Sequence, residues 1–319
     1  MKKIIIIILI TALLLISGCT FSQIKEKIMP GKIISGTTGK SQFIGGKEGI
    51  KAEIVRPIEG GEAYTTTPFK IEVQVSNEGE FGDEREPATG TTCIFGLNKK
   101  YFPGFAGCDC KDFAIKGKRK IDKENIEGEN EILTFEGGEI KKGELKEFSI
   151  TEKTRYDYKT LGIIKPCIKK EMHSKEGCQI TSQTNIRKSV SSAPITIEKV
   201  TQDIIPETDE TIELRLKIEI KKTGDGDLYD LDEDKSQCTT PQDLKKRINV
   251  RLANTPGSAT CNPTELRTKK ETITSEDVAT AHCKIKNVRV SGEGYEPEIT
   301  LILEYAYETT DSNKFEVVS

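Results

Sequence analysis

Phe69-Lys-Ile-Glu-Val-Gln-Val-Ser-Asn77 alternates apolar and polar residues with a period of two, and so does Thr211-Ile-Glu-Leu-Arg-Leu-Lys-Ile-Glu-Ile220. Because successive side chains of a strand point to opposite faces, this pattern predicts strands with one face in a core and the other in solvent. Similar runs, separated by Gly, Pro, Asn and Asp clusters, lie at 195–200, 248–252, 285–290 and 299–307. Many short strands divided by turn signals indicate an all-β fold built from β-sandwiches.

The two halves of the chain carry the same landmarks in the same order. Each alternating strand ends at a glycine, Gly79 or Gly224, and a cysteine follows 14 residues later in both halves, at Cys93 and Cys238. We therefore predict a tandem duplication, in which the domains are a first β-sandwich at 49–193 and a second at 194–319.

A Tyr-x-Tyr-x-Thr strand is the third shared landmark. It lies at 156–160 in the first half and at 305–309 in the second. On a strand the two tyrosines share one face, so their rings are predicted to cover the sheet while the hydroxyls reach polar partners. Stacking of a ligand between the tyrosines is the alternative.

The N-terminus has the layout of a signal peptide. Lys2 and Lys3 precede an apolar run at 4–16, which is shorter than the roughly 20 residues of a membrane-spanning helix. Ile16-Ser17-Gly18-Cys19 then resembles the lipobox of prokaryotic lipoproteins, in which the cysteine becomes lipidated. We expect residues 1–18 to be a signal peptide, Cys19 to carry lipid, and 19–48 to form a tether.

This leader predicts the location of the protein. Acyl chains on Cys19 would partition into the bilayer and hold the domains on the outer face of the cytoplasmic membrane, at the cell surface. An ordinary cleaved signal and an uncleaved anchor are the alternatives. Both still place the remainder of the chain outside the cytoplasm.

Eight cysteines remain beyond Cys19, and an even number in an exported chain suggests disulfides. Cys167 and Cys178 bracket a polar segment that resembles a hairpin loop, so a bridge between them is geometrically easy. Cys261 and Cys283 bracket a longer insertion in the second half.

The other four cysteines leave their pairing open. Cys108 and Cys110 are too close in an extended chain to pair with each other, so Cys93 is left to choose one of them. Cys238 and the remaining cysteine would join the two domains or stay free. Zinc is the alternative for Cys93, Cys108 and Cys110, but the sequence has neither paired CxxC motifs nor histidine partners, and disulfides are favoured.

One acidic cluster offers hard oxygen ligands to calcium. Measured against the EF-hand template from Asp230, its sixth position is Lys235 and its twelfth is Pro241, so the template fails. A solvated loop between strands is the favoured interpretation, and no cofactor is expected. The cluster consists of Asp225, Asp227, Asp230, Asp232 and Asp234.

Composition and motifs exclude several classes of function. Charged residues make up 31% of the chain but the net charge is only −3, which gives no basic footprint for nucleic acid. Tryptophan is absent, which disfavours a carbohydrate-stacking platform. His173 and His282 belong to no recognisable triad or metal motif, so we do not expect an enzyme.

The pattern resembles a family of uncharacterised archaeal surface lipoproteins, common in small-genome lineages, with paired immunoglobulin-like β-sandwich domains. The residues that carry the resemblance are Gly36-Thr-Thr-Gly, the Gly45–Ile54 entry and first strand, Pro166-Cys167-Ile168, the 193–200 strand and Cys261-Asn-Pro263. It spans most of 36–319. Low aromatic content and Cys108-Asp-Cys110 depart from the family pattern.

Two functions follow as expectations. The first is a non-enzymatic adhesion, envelope or docking module that contacts an extracellular protein or envelope component through loops at the sandwich ends. The second is a ligand-binding or enzyme-accessory lipoprotein. The first is favoured, because the sequence offers little for catalysis.

Overall fold

A computed structural model of the chain describes residues 42–318, except 58–60, 65–67, 122–123, 142–144, 171–176, 181–183, 187–188, 241–245, 266, 271–274 and 291–293. The predicted signal peptide, Cys19, most of the tether and His173 lie outside the described residues. Within them there is no α-helix, and so none with the length and apolar character that crossing a membrane requires.

The residues described form nineteen strands, which confirms the all-β prediction. In the first half these are β1 (Ile50–Arg56), β2 (Glu62–Tyr64), β3 (Pro68–Asn77), β4 (Ala88–Phe95), β5 (Cys108–Ile115), β6 (Arg119–Ile121), β7 (Glu124–Ile126), β8 (Asn130–Glu139), β9 (Glu147–Ile164) and β10 (Thr184–Asn185). In the second half they are β11 (Ile195–Pro206), β12 (Thr211–Lys222), β13 (Asp227–Tyr229), β14 (Arg247–Ala253), β15 (Ser258–Cys261), β16 (Thr264–Glu265), β17 (Arg267–Lys270), β18 (Ser275–Arg289) and β19 (Ile299–Val318).

The largest sheet has eight strands and runs through both halves of the chain. Its order is β16-β14-β19-β9-β4-β5, with β13 and β2 also pairing with β19. The antiparallel β9–β19 pair is the junction, and it extends from Ile164 opposite Ile299 to Glu147 opposite Glu316. The predicted boundary at residue 194 therefore falls between halves that share a sheet, and the division into two domains stays a prediction.

Two smaller sheets pack on the largest one, and β6 and β7 form a separate two-stranded sheet. One has the order β1-β3-β8, and the other has the order β10-β11-β12-β18-β15, with β17 beside β18. Each contacts the eight-stranded sheet, the first through β1 against β9 and the second through β11 against β9. The apolar core is continuous through the described chain.

The alternating sequence explains which faces of the smaller sheets are buried. Ile71, Val73 and Val75 of β3 are fully buried, and the intervening residues are partly exposed. In β12, Leu214 and Ile218 are likewise buried on the core face. Each such side chain contributes about 1.5–3 kcal/mol relative to an exposed position, so these strands hold the sheets together through one face only.

Candidate functional site

Four tyrosines form one cluster at the β9–β19 junction. The strand register places Tyr156 opposite Tyr307 and Tyr158 opposite Tyr305. Each is at most 1% exposed, and neighbouring ring centroids lie 5.6 to 6.5 Å apart. The rings are buried in the core, as the sequence predicts, and the Tyr-x-Tyr motifs of the two halves also pack against each other, which the sequence did not predict.

The hydroxyls of two matched tyrosines differ in their partners. Tyr158 Oη donates to Asn77 Oδ1 at 3.1 Å and accepts from the Phe81 N–H at 3.3 Å. The Tyr307 hydroxyl has no hydrogen bond of good geometry among the described residues, and its contact with the Gly226 N–H is a weaker one. Burial raises the pKa of both phenols, so both are neutral at physiological pH.

The landmark glycines lie beside these same hydroxyls. A Cβ atom added at Gly79 would meet the Tyr158 hydroxyl, and one added at Gly224 would meet the Tyr307 hydroxyl at 2.8 Å. Glycine at these positions lets the backbone approach the tyrosine closely. The features that suggested a duplication thus occupy matching places in the two halves.

A buried carboxyl group lies on the same face of β9. Glu152 is 1% exposed and lies opposite Asp311, which is exposed. Burial raises the pKa of Glu152 to about 8; the hydrogen bond from Thr154 acts against the shift, and the negative charge of Asp311 adds to it. At neutral pH the Glu152 carboxyl is therefore mostly protonated and can donate as well as accept a hydrogen bond.

These residues line a cavity of about 370 Å³. Its walls include Glu152, Tyr156, Tyr307, Thr309 and Asp311, together with backbone of the 47–52 and 224–226 segments. The Thr309 Oγ1 atom, like the Tyr307 hydroxyl, has no hydrogen bond of good geometry in the part of the chain that is described. Both oxygens have almost no accessible surface, so a small hydroxyl- or amine-bearing molecule in the cavity would reach them only after their side chains rotate.

The opposite face of β9 carries a buried cation. Arg155 is fully buried, and its Nε atom donates to Glu308 Oε2 at 2.7 Å. Its guanidinium also donates to the backbone carbonyls of Lys235, Gln237 and Thr239. Arg155 therefore fastens the 235–240 segment of the second half onto the outer face of the shared sheet.

The structure pairs the four cysteines that the sequence leaves open. Cys93 is bonded to Cys110 and Cys108 to Cys238. All four Sγ atoms lie within 4.8 Å of one another. Cys238 lies within the 235–240 segment held by Arg155, and its bond to Cys108 joins the second half of the chain to the first.

The remaining cysteines pair within their own halves. Cys167 is bonded to Cys178, and Cys261 to its cross-strand partner Cys283. Each bond joins the two cysteines that the sequence placed at the ends of one segment. His282, next to Cys283, is exposed on β18.

The aspartates weighed as calcium ligands are dispersed. Asp227 pairs with Lys246 at 2.7 Å, while the Asp234 carboxylate accepts from the backbone and side chain of Ser236. Among the described residues, the cysteine cluster is the group whose ligand atoms converge closely enough for a metal ion. The acidic run thus has the local hydrogen bonds and ion pairs of a solvated loop.

Sequence reasoning missed Glu152 and Arg155. Glu152 lies at a core-facing position of the alternating run in β9, between Ile150 and Thr154. A charged residue at such a position could have been noticed in the sequence. Arg155 lies at a position of the same run that the alternation assigns to solvent. Its burial results from the 235–240 segment, which is distant in sequence, and no local pattern could reveal it.

Comparisons with known proteins do not identify a function for this chain. No protein-family model matches the chain, and a search of curated proteins finds no similar sequence. The resemblance to archaeal surface lipoproteins stays a prediction.

Proposed function

We propose that this chain is an exported, lipid-anchored surface protein that docks an extracellular protein or envelope component without catalysing a reaction. The observation that carries the proposal is the pairing of all eight cysteines beyond Cys19 in four disulfides. Disulfides persist in oxidising compartments outside the cytoplasm, and this agrees with the leader sequence. In this proposal the two halves are duplicated immunoglobulin-like sandwiches displayed on a tether.

The tether sets how far the docking surface stands from the membrane. As a flexible coil, the roughly 30 residues between Cys19 and the first strand would give an r.m.s. reach of about 30 Å. Loops at the ends of the sandwich would then be presented to a partner beyond the lipid headgroups.

Mass spectrometry of the native protein extracted from membranes tests the anchor. We expect an N-terminus at Cys19 with the added mass of acyl chains, and four disulfides in the same sample. A Cys19→Ser variant should lack the acyl mass and leave the membrane fraction. A native chain that keeps the residues before Cys19 unmodified would contradict the lipid anchor.

Crosslinking on intact cells tests the docking role. We expect the full-length chain to form a reproducible crosslink to one envelope protein or polymer, and the same crosslink to be lost when exposed loop residues at the sandwich ends are replaced. If the chain were crosslinked to many envelope proteins in proportion to their abundance, docking to a specific partner would be contradicted.

Ligand binding is the second candidate function, and the cavity at Glu152 is the observation that favours it. Tyr307, Thr309 and the mostly protonated Glu152 line this cavity, and rotation of the first two side chains would turn their hydroxyls toward it. A bound polar molecule would pair these groups and stabilise the folded protein by mass action.

A thermal-shift screen of small polyols and amines tests this second candidate. A true ligand should raise the Tm of the parent, and its effect should be weaker on Thr309→Val, which has the same shape without the hydroxyl. Thr300→Val, on the same strand outside the cavity, is the matched control and should respond like the parent. If the ligand raised the Tm of Thr309→Val and Thr300→Val equally, it would bind outside this cavity.

A further inference from the structure

The four-cysteine cluster (Cys93, Cys108, Cys110 and Cys238) has the spacing of a tetrahedral thiolate site. All four Sγ atoms lie within 4.8 Å of one another, and the unbonded pair Cys108–Cys110 is separated by 3.9 Å. In a zinc site with Zn–S bonds of about 2.3 Å, tetrahedral geometry places the sulfurs about 3.8 Å apart. The unbonded sulfurs are thus already at the required spacing, and small side-chain rotations would bring the bonded pairs to it.

The backbone holds these cysteines in place independently of the sulfur–sulfur bonds. Cys93 and Cys110 are direct partners in the β4–β5 ladder, and Cys108 lies two residues away on the same face of β5. Cys238 lies between Gln237 and Thr239, whose carbonyls both accept hydrogen bonds from Arg155. All four thiols would therefore stay together when the disulfides are opened.

Lys153 and Arg155 of β9 lie on the same face of the shared sheet as Cys93. A zinc ion with four thiolates carries a net charge of −2, which needs nearby cations when it is partly buried. Arg155 reaches the cluster through the Lys235 carbonyl, whose oxygen lies 3.3 Å from the Arg155 guanidinium and 3.9 Å from Cys93 Sγ. This oxygen, like those of Ser236 and Ile94 beside Cys110 and Cys238, carries no positive charge, so the two side-chain cations must balance the centre. Lys153 is the cross-strand partner of Cys93 and supplies the second cation.

We propose that the four-cysteine cluster binds one zinc-class metal ion when it is reduced, and that the two disulfides are its oxidised, metal-free state. A dithiol reductant supplies two electrons and two protons to each disulfide and leaves as its own cyclic disulfide. The four thiols that result release four protons as they bind one Zn²⁺. Both states would link the 235–240 segment to β4 and β5.

Cobalt titration of the full-length chain in detergent tests this proposal. The protein is reduced with a dithiol under anaerobic conditions, freed of reductant and titrated with Co²⁺. We expect one equivalent to bind with thiolate-to-cobalt charge-transfer absorption and the visible bands of tetrahedral cobalt, and zinc to displace it. The oxidised chain should show neither absorption.

Two ligand variants and one control make the result specific. Cys238→Ser and Cys110→Ser alter different parts of the cluster. Titration of either variant should no longer show saturation at one equivalent of Co²⁺. The double variant Cys167→Ser/Cys178→Ser removes a disulfide elsewhere and should still show this saturation. Circular dichroism must show that the reduced parent retains its β-sheet signal.

Three results would overturn the proposal. The first is a folded, reduced parent that binds no cobalt. The second is cobalt binding that survives in both ligand variants, and the third is a parent that unfolds on reduction, since the proposal requires the fold to hold the thiols together.

Discussion

Tyr156 and Tyr307 lie opposite each other across the β9–β19 junction, with their ring centroids 5.8 Å apart. Tyr158 and Tyr305 form the adjacent opposed pair. Because the first tyrosine of each motif faces the second tyrosine of the other, the two copies are related by a local two-fold arrangement. Pairing β9 with β19 also removes two open sheet edges, which would otherwise be prone to aggregation.

The first prediction compares the matched tyrosines Tyr158 and Tyr307. Tyr158→Phe removes the hydroxyl that bonds to Asn77 and Phe81, and should lower the free energy of unfolding by about 1–2 kcal/mol. Tyr307→Phe removes a hydroxyl without a hydrogen bond of good geometry among the described residues and should change it by less than about 0.5 kcal/mol. Urea denaturation of both variants measures the difference, and equal losses would contradict it.

The second prediction concerns the ion pair of Arg155 and Glu308. Arg155→Ala leaves the mostly buried Glu308 carboxylate with only Thr240 and the more distant Lys153, and it frees the carbonyls of the 235–240 segment, so it should cost about 3 kcal/mol. The segment should also become more sensitive to proteolysis.

A surface ion pair of the same sheet is the matched control for Arg155. Arg251 contacts Glu304 on β19 but is largely exposed, so Arg251→Ala should cost less than about 1 kcal/mol. Urea denaturation checks both values. Similar losses in the two variants would mean that burial of Arg155 adds nothing to its interaction.

The third prediction ranks two disulfides. Cys108–Cys238 spans 130 residues of chain and Cys167–Cys178 spans 11. If the bonds act by restricting the unfolded chain, losing the first by a Cys108→Ser/Cys238→Ser double substitution should cost about 2 kcal/mol more than losing the second. Thermal unfolding of the two double variants under oxidising conditions, compared with the parent, tests this ranking. If losing Cys167–Cys178 cost more, interactions in the folded state, and not restriction of the unfolded chain, would determine the loss of stability.

The strands could be predicted from sequence because their signal is local. Alternation at 69–77 and 211–220 sets which side chains of β3 and β12 are buried, and both strands form where the pattern places them. The segment-closing pairs Cys167–Cys178 and Cys261–Cys283 are also separated by short stretches of chain.

The junction between the halves could not be predicted in the same way. The pairing of β9 with β19 joins residues about 150 positions apart in sequence, and no local pattern specifies that register. The partner of Cys238 and the burial of Arg155 both depend on this junction, because the 235–240 segment reaches the first half only across the shared sheet. The sequence therefore shows the residues of the candidate site but does not predict that they come together.

The last prediction concerns the pH dependence that Glu152 imposes on stability. Its pKa is about 8 in the folded protein, against an ordinary value of 4.5, so the folded state holds one proton more than the unfolded state between these values. Its contribution is therefore fully present below pH 4.5, is lost as the pH rises to 8, and changes no further above it. The loss should proceed at up to about 1.4 kcal/mol per pH unit.

Glu152→Gln tests this dependence, because the amide is similar in shape and stays neutral. The variant should match the parent near pH 4.5 and be more stable at pH 8, as measured by urea denaturation across this range. Glu147→Gln changes an exposed carboxylate on the same strand and should give a curve parallel to that of the parent. If the curve of Glu152→Gln were also parallel, the buried carboxyl would be ionised through the whole range, and its role as a hydrogen-bond donor to the cavity would be wrong.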